Sequence, residues 1–338
     1  MAAIDEIEAA AERLRAGKLV AFPTETVYGL GADATNHDAV AGVFGAKGRP
    51  STNPLIVHVS SSAMAREHAV APGAWCARAE ALARAFWPGP LTLVLPRRST
   101  LPTIVTAGLD HVAVRCPDHP TALALLYTLG RPIVGPSANP SGRVSPTLAA
   151  HVREHFDPDL VMVLDGGACE AGIESTVVSL VGPVARVLRR GVVSAAEISA
   201  ALGEPVDDPS PTHADSSAPL SSPGQLHTHY APRTRAVLVD DAVDSPEFET
   251  LDDEGGRCVV LSHHLATTID PPHALVRLPG MAGPYAQQLY AALRRADDLA
   301  QSGGYALILV ERPPLSAETE RDTGIWLAIA DRLARATS

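Results

Sequence analysis

Lys47 and Arg49 stand on either side of a glycine, and Pro50, Asn53-Pro54-Leu55 and His58 follow within a few positions. A glycine lets the backbone approach a ligand closely, and a proline stiffens the turn. Lysine offers phosphate a point charge, whereas arginine offers a planar fork that can grip two oxygens. Alone, such a stretch reads as a charged surface turn, so its meaning rests on the groups around it. Lysine is rare in this chain. Of 27 Lys+Arg residues, only Lys18 and Lys47 are lysines, which marks position 47 as one where a compact ammonium is wanted.

Further polar clusters fall at the ends of expected strands. They are Pro23-Thr24-Glu25-Thr26 with Tyr28-Gly29, His111 and Arg115 around one apolar run, Ser137-Ala138-Asn139-Pro140-Ser141-Gly142, and Glu174-Ser175-Thr176. Ligands of open α/β sheets sit beyond the strand ends, so these loops are expected to converge on one cleft. With Lys47, Arg49 and Arg189 added, the cleft would be cationic and rich in hydroxyls, suited to a phosphate-bearing ligand beside a small polar one. No GxxxxGK[ST] loop is present, so a nucleotide would be held in another way.

Three tempting motifs fail. Gly29-Leu-Gly31-Ala-Asp-Ala34 fits GxGxxA, but Pro23–Thr26 separates it from the preceding strand and no acidic residue lies between Asp38 and Glu67 to hold a ribose. His151-Val-Arg-Glu-His155 fits the inverted zinc-protease pattern, yet a charged amphipathic face explains it as well and Asp157-Pro158 ends the helix at once. Gly135-Pro-Ser137-Ala-Asn139 has Asn where a nucleophile elbow needs Gly, which argues against acyl-enzyme chemistry.

The elements that must position these groups divide at Asp207–Pro223, a stretch rich in Pro, Ser and Asp with no apolar period. A chain of 338 residues exceeds one ordinary core, so two domains are expected: residues 1–205, a linker at 206–234, and residues 235–338. Before the linker, helices are expected at Ile4–Ala16, Ala39–Ala46, Ala74–Phe86 and Thr147–Phe156. The last of these would be capped by Ser145 with Pro146 in its first turn. Strands are expected at Leu19–Phe22, Leu55–Val59, Leu91–Leu95, Val112–Arg115, Ile133–Val134, Leu160–Leu164, Thr176–Leu180 and Ala185–Leu188. The close spacing of the later strands implies antiparallel pairing and hence a mixed sheet. After the linker, strand-like runs at Ala236–Val239, Cys258–Leu261 and Tyr305–Val310 alternate with helical patterns at Ala282–Ala300 and Ile325–Arg335, a small doubly wound domain.

Composition excludes several classes. Net charge is −11. Residues 1–205 hold 17 basic against 19 acidic side chains and residues 206–338 hold 10 against 19, so the acid excess lies in the C-terminal part. Bulk nucleic-acid binding needs clustered cations that such a chain lacks. The four cysteines (76, 116, 169 and 258) lie far apart with no CxxC, which gives neither a zinc site nor a disulfide framework. No apolar run reaches membrane-spanning length, and Met1–Gly17 is amphipathic without a signal-peptide core, so a cytoplasmic location is expected.

Taken together, several segments resemble the YrdC-like threonylcarbamoyl-AMP synthases: Phe22-Pro-Thr-Glu-Thr-Val-Tyr-Gly-Leu-Gly31, Lys47-Gly-Arg-Pro50 with Asn53-Pro-Leu55, Pro88-Gly-Pro-Leu-Thr-Leu93, Pro136-Ser-Ala-Asn139 and Gly172-Ile-Glu-Ser-Thr-Val177. Ser222-Pro-Gly224 and His229-Tyr-Ala-Pro232 resemble the interdomain linker of the long members of that family. The resemblance implies an α/β fold: a twisted mixed-sheet YrdC-like domain with a cationic concave cavity, joined to a smaller Rossmann-like domain. It implies a reaction joining L-threonine, bicarbonate and ATP into threonylcarbamoyl-AMP and pyrophosphate. The product would pass to a tRNA-modifying threonylcarbamoyl transferase, with no membrane and no direct stable tRNA binding by this chain.

Carried over by motif, Lys47 and Arg49 are the implied catalytic residues. ATP is expected to be held by Lys47, Arg49, Asn53, His111, Asn139, Ser145, Thr147, Arg189 and Tyr230, with Tyr230 a lid residue. Threonine is expected to be framed by Thr26, His58, Arg115, Ser137 and Ser175, with Arg115 facing its carboxylate. Mg2+ is expected on the phosphates, since no carboxylate cluster forms a metal cage and no resident metal site is expected. The chain departs from the family pattern at His111, at Arg190 and in Gln225–His229. The competing reading is a non-catalytic double-stranded RNA-binding regulator that uses the same cationic surface.

Overall fold

The structure, a computed structural model, describes residues 2–208, 230–264 and 267–338. The core of the expected linker, 209–229, lies outside the described residues. Two compact units emerge: Met1–Ser141 with Ser145–Gln225, and Gly142–Val144 with Leu226–Ser338.

The first unit is built on a nine-stranded mixed sheet. Its elements in chain order are α1 (Ile4–Arg15), β1 (Leu19–Phe22), β2 (Gly29–Asp33), α2 (His37–Lys47), β3 (Ile56–His58), a short α3 (Ser62–Met64), α4 (Ala77–Phe86), β4 (Leu91–Pro96), β5 (His111–Arg115), α5 (Pro120–Leu129), β6 (Ile133–Val134), α6 (Ala149–Arg153), β7 (Val161–Val163), β8 (Thr176–Ser179), β9 (Arg186–Arg189) and α7 (Ala195–Leu202). The strand order is β7-β1-β2-β6-β3-β5-β4-β8-β9. β3 runs parallel to β5 and β4 parallel to β8, whereas β4–β5 and β8–β9 are antiparallel.

Side chains alternate across a strand, so register alone separates the two faces of this sheet. One face packs into the main core through Leu55, Val57, Val112, Val114, Leu91, Leu93 and Val178. On the other face, Val20, Phe22 and Ile133 pack beneath α1 and α5. His58 stands opposite Ile133 in the pairing of β3 with β6, so that second face continues across β3, β5, β4 and β8. There it carries only the small apolar group Ile56, Val94, Ala113 and Val177, to which no described helix contributes. These residues are buried all the same, and the polar groups gather on this face.

Three local expectations are corrected. Gly29–Ala34 is neither a turn nor a loop, because β2 runs from Gly29 to Asp33 beside β1. A Cβ on Gly31 would meet the Val20 carbonyl oxygen at 2.8 Å, so this glycine serves close strand packing. Ser145 caps no helix. α6 begins only at Ala149 because the Pro146 carbonyl accepts the Tyr28 N–H and the Thr147 carbonyl accepts the Cys169 N–H, which hold the segment extended. Gly48 is the left-handed C-cap of α2 (φ 58°), so its freedom ends a helix and is not spent on a ligand. The sequence reading also passed over α5, α7 and, in the second unit, the helix Pro246–Asp253 and the strand Ala274–Arg277.

The second unit is a four-stranded all-parallel sheet in the order β10-β13-β11-β12, formed by β10 (Ala236–Val239), β11 (Cys258–Ser262), β12 (Ala274–Arg277) and β13 (Leu307–Glu311). Its helices are α8 (Pro246–Asp253), α9 (Ala282–Gly303) and α10 (Glu320–Ala336). Phe248 and Leu251 of α8 pack on the face bearing Cys258, Val260, Leu307 and Leu309. α9 packs on β11, β12 and β13, so the intervening residues Val259, Leu261, Ile308 and Val310 are buried on the opposite face. Both faces being covered explains why these strands read as continuous apolar runs.

Candidate active site

Arg115, the last residue of β5, is buried at the end of that strand. Its Nη1 donates to Thr26 Oγ1 at 2.8 Å, its Nε donates to the Gly89 carbonyl at 3.2 Å, and its Nη2 lies 2.6 Å from Glu25 Oε1. Thr26 is held in turn by Thr24, whose hydroxyl sits 2.8 Å from the Thr26 hydroxyl, accepts the Thr26 and Val27 N–H groups and donates to the Val27 carbonyl. This turn is why the Pro-Thr-Glu-Thr segment presents its side chains toward β5. Gly89 and Glu25 bring the guanidinium a carbonyl and a carboxylate, so the charge is paired even in a buried place.

His58 ends β3 beside Arg115, the two being register partners. Its ring meets Phe22 edge-on at 5.4 Å. Burial, reinforced by the Arg115 charge, lowers its pKa to about 3, so the imidazole is neutral at pH 7. A Cβ on Gly135 would come within 2.8 Å of this ring, so position 135 must be glycine for His58 to sit there.

The network continues along the same face. Thr92 follows Arg115 across the β4–β5 pairing, and its hydroxyl lies 2.8 Å from Ser175 Oγ. Arg189, at the end of β9, donates to the Ser175 carbonyl through Nε (3.1 Å) and Nη2 (3.0 Å), and through Nη2 to Ser175 Oγ (3.2 Å). Gly191 permits this approach, since a Cβ there would meet Thr176 N at 2.4 Å. Ser145 Oγ donates to Glu174 Oε1 at 2.8 Å, which ties the 145–147 segment to the same loop.

Lys47 is buried at the last turn of α2, where Nζ donates to the carbonyls of Ser137 and Asn139. Burial, then the neighbouring Arg49 charge, pulls its pKa well below the usual lysine range. Arg49 Nη2 donates to Asn53 Oδ1 at 2.6 Å and to the Pro54 carbonyl at 2.9 Å. The Ser137–Asn139 loop runs beside β2, with Ser137 bridged to Gly29 and the Ala138 N–H given to the Tyr28 carbonyl.

Thr26 is therefore bonded to Arg115, His58 is the register partner of Arg115, and Ser175 is bonded to Thr92 and Arg189. Lys47 is joined to Ser137 and Asn139, and Arg49 to Asn53. Thr147 is buried, with its backbone N–H near His151 Nδ1 at 3.3 Å. His111 opens β5 and so lies at the opposite strand end from Arg115, the end next to Pro54 and Asn53. Arg190, a departure from the family pattern, pairs with Asp208 at 3.1 Å. Tyr230 belongs to the second unit, where it is buried with φ 64° and stacks on Tyr290 at 5.4 Å.

Two members of the network were missed by the sequence reading, Glu25 and Thr92. The signal for Thr92 was present: within Leu91-Thr-Leu-Val-Leu95 it shares a face with Val94 and not with the leucines. The Cys116 and Cys169 thiols are each pushed up to about 12, chiefly by burial, so neither offers a thiolate nucleophile near pH 7.

The first unit's mixed sheet with its buried polar groups, and the second unit's parallel sheet, together define a two-unit α/β protein of YrdC type. A family described as "Telomere recombination" (Sua5/YciO/YrdC) matches residues 12–191, and "Threonylcarbamoyl-AMP synthase, C-terminal domain" matches residues 193–338. The chain is 39% identical to the threonylcarbamoyl-AMP synthase of Pyrococcus abyssi, over 98% of this chain and 94% of that one. It is also 39% identical to that of Bacillus subtilis, over 98% and 92%. The crystal structure of P. abyssi Sua5 complexed with L-threonine superposes with a TM-score of 0.86 at 38% identity, covering 99% of this chain and 95% of that one. The chain belongs to the two-domain threonylcarbamoyl-AMP synthase family.

Proposed function

We propose that this chain makes threonylcarbamoyl-AMP and pyrophosphate from L-threonine, bicarbonate and ATP. The observation that carries the reading is that two bonded groups, Thr26 with Arg115 and Thr92 with Ser175 and Arg189, stand on or beside the paired strands β5, β4, β8 and β9 of one sheet. It links the residues assigned to the amino acid with one assigned to the nucleotide. The Arg115 fork receives the threonine carboxylate, and Glu25 holds that fork in place. Neutral His58 adds a hydrogen-bonding ring without a second positive charge. The threonine amine adds to carbon dioxide and gives up a proton, or displaces water from bicarbonate, to form a carbamate. A carbamate oxygen then attacks the α-phosphate, and pyrophosphate leaves.

Arg49, Asn53, Asn139 and Arg189 hold the nucleotide, with His111, Ser145 and Thr147 beside it. Lys47 fixes the Ser137–Asn139 loop through two carbonyls, so its contribution includes building the phosphate side of the cavity. Alignment and charge neutralisation supply the acceleration, with no covalent enzyme intermediate. Glu25 and Glu174, the carboxylates of this network, are engaged by Arg115 and Ser145. That leaves the ATP phosphates themselves to carry Mg2+. The segment 206–234, with Tyr230, is proposed as a lid that keeps water from a hydrolysable adenylate. Consumption of the product by a tRNA-modifying transferase, and a cytoplasmic location, complete the proposal. No helix among the described residues is long and apolar enough to cross a membrane.

The test supplies purified protein with threonine, bicarbonate and ATP and follows pyrophosphate. Release that requires all three supports the reading. Release indifferent to threonine or bicarbonate overturns it. RNA retained at moderate salt without pyrophosphate would favour the RNA-binding alternative instead.

A further inference from the structure

The second unit holds a group of side chains that the proposed reaction does not use. Ser262 ends β11 and Glu311 ends β13, neighbouring parallel strands of its sheet. His263 and His264 follow Ser262 directly, so two imidazoles and a carboxylate meet at the carboxyl ends of parallel strands, where α/β sheets place ligands. One donor atom from each of His263, His264 and Glu311 lies within 4.8 Å of the others. The two rings are tilted by 37° with centroids 4.0 Å apart, and His264 Nε2 is 4.0 Å from Glu311 Oε2.

Two further observations point to a ligand. Glu311 is almost fully buried, yet among the described residues no Lys or Arg forms an ion pair with it. Its oxygens are met only by neutral hydroxyls, Ser262 Oγ on Oε2 and Thr267 Oγ1 on Oε1 at 3.4 Å, together with the distant His264. A buried carboxylate without a close cation is costly, and a bound cation removes that cost. In addition His263, 9% exposed and flanked by Tyr285 and Trp326, has a buried Nδ1 with no hydrogen-bond partner.

We infer that His263, His264 and Glu311 form a binding site for a divalent transition-metal ion. Two imidazoles and one carboxylate favour Zn2+ and its neighbours over Mg2+, which prefers oxygen ligands. Modest side-chain rotation brings three donors to about 2.1 Å of one ion, and water fills a fourth position. Ser262 and Thr267 hydrogen-bond to the ligating carboxylate and fix its orientation, as outer-shell partners do. The site stands apart from the proposed reaction, and its failure would leave that reading intact.

The experiment uses the full chain stripped with a chelator and titrated with Zn2+ in competition with a chromophoric chelator. One tight equivalent is expected, with affinity at least tenfold lower in Glu311→Gln and in the exposed His264→Ala, both checked for folding by circular dichroism. Co2+ should give a visible absorption band in the native chain that both variants lose, and excess Mg2+ should not displace it. Absence of a tight equivalent overturns the site. So does an equivalent, or a Co2+ band, that both variants keep. If Glu311→Gln fails to fold, His264→Ala decides alone.

Discussion

The two sheets of this protein use their faces in opposite ways. In the second unit, α8 covers one face and α9 the other, so polar chemistry is confined to the strand ends. In the first unit, α1 and α5 cover one face over β1 and β6, and where that face continues across β3, β5, β4 and β8 no helix among the described residues joins its buried apolar group. Buried Arg115 and Thr92 can occupy this sheet face because each finds a partner there, Arg115 in Thr26 and the Gly89 carbonyl and Thr92 in Ser175. The difference teaches that helix placement, as much as strand sequence, decides where a sheet can hold a ligand.

Perturbing the polar face of the first sheet should sharpen the contrast most. Arg115→Ala removes the proposed carboxylate partner and leaves Glu25 buried without its cation. Pyrophosphate release should fall at least a hundredfold in kcat/KM for threonine, about 2.7 kcal/mol. Hydrogen exchange in β11 and β13 should stay unchanged, and loss of protection there would extend the effect of the substitution to the second sheet. Lys47→Ala and Arg49→Ala should each lower turnover at least tenfold, about 1.4 kcal/mol. Near-normal rates would remove both from the phosphate side.

A pH series tests the burial of His58. Its folded pKa lies near 3, below the ordinary value of 6.5, so the unfolded chain binds the extra proton as pH falls. His58 therefore costs no stability above about pH 6.5 and increasingly destabilises the fold from there down toward pH 3. The slope is at most about 1.4 kcal/mol per pH unit for one proton. His58→Gln should flatten the denaturant-derived stability curve across that window, and parallel curves would mean the ring is solvated.

The smallest effect on catalysis belongs to the second unit. Asp297 accepts bonds from the Arg233 N–H and Nε and from the Thr234 N–H and Oγ1, and these hold its pKa low despite burial. Asp297→Ala should destabilise that unit by about 1–3 kcal/mol in calorimetry. The pyrophosphate rate per folded molecule should remain near normal, and a large drop in that rate would make the second sheet part of the reaction.

Much of the fold could be read from one dimension. Leu19–Phe22, Ile133–Val134 and Ala236–Val239 are strands at the bounds their apolar runs suggest, and α1 ends within one residue of its expected limit. Errors arose where long-range contacts overruled a local pattern. Ser145-Pro146 has the look of a helix start, but its neighbours' backbone groups are claimed by Tyr28 and Cys169. Rejecting Gly29 and Gly31 as a nucleotide turn agrees with the fold, where both lie in β2 pressed against β1. Among site residues, the motifs marked Thr26, Arg115, Ser175 and Arg189. Glu25 and Thr92 became visible only through their partners, 90 and 83 positions away, at Arg115 and Ser175.

The sequence by itself determined which groups were available: the Lys47-Gly-Arg49 cations, the Thr-Glu-Thr turn and the Ser-Ala-Asn loop. It also determined the period-two patterns that make their supporting strands, because side-chain chemistry and alternation are local properties. Tertiary structure alone decided which of those groups meet. It gathered the buried polar groups on one sheet face, set Glu25 on Arg115, gave the Lys47 ammonium to two carbonyls and brought His263, His264 and Glu311 to neighbouring strand ends. Those pairings join positions up to about a hundred residues apart, and strand order, which no local pattern encodes, is what puts them in reach.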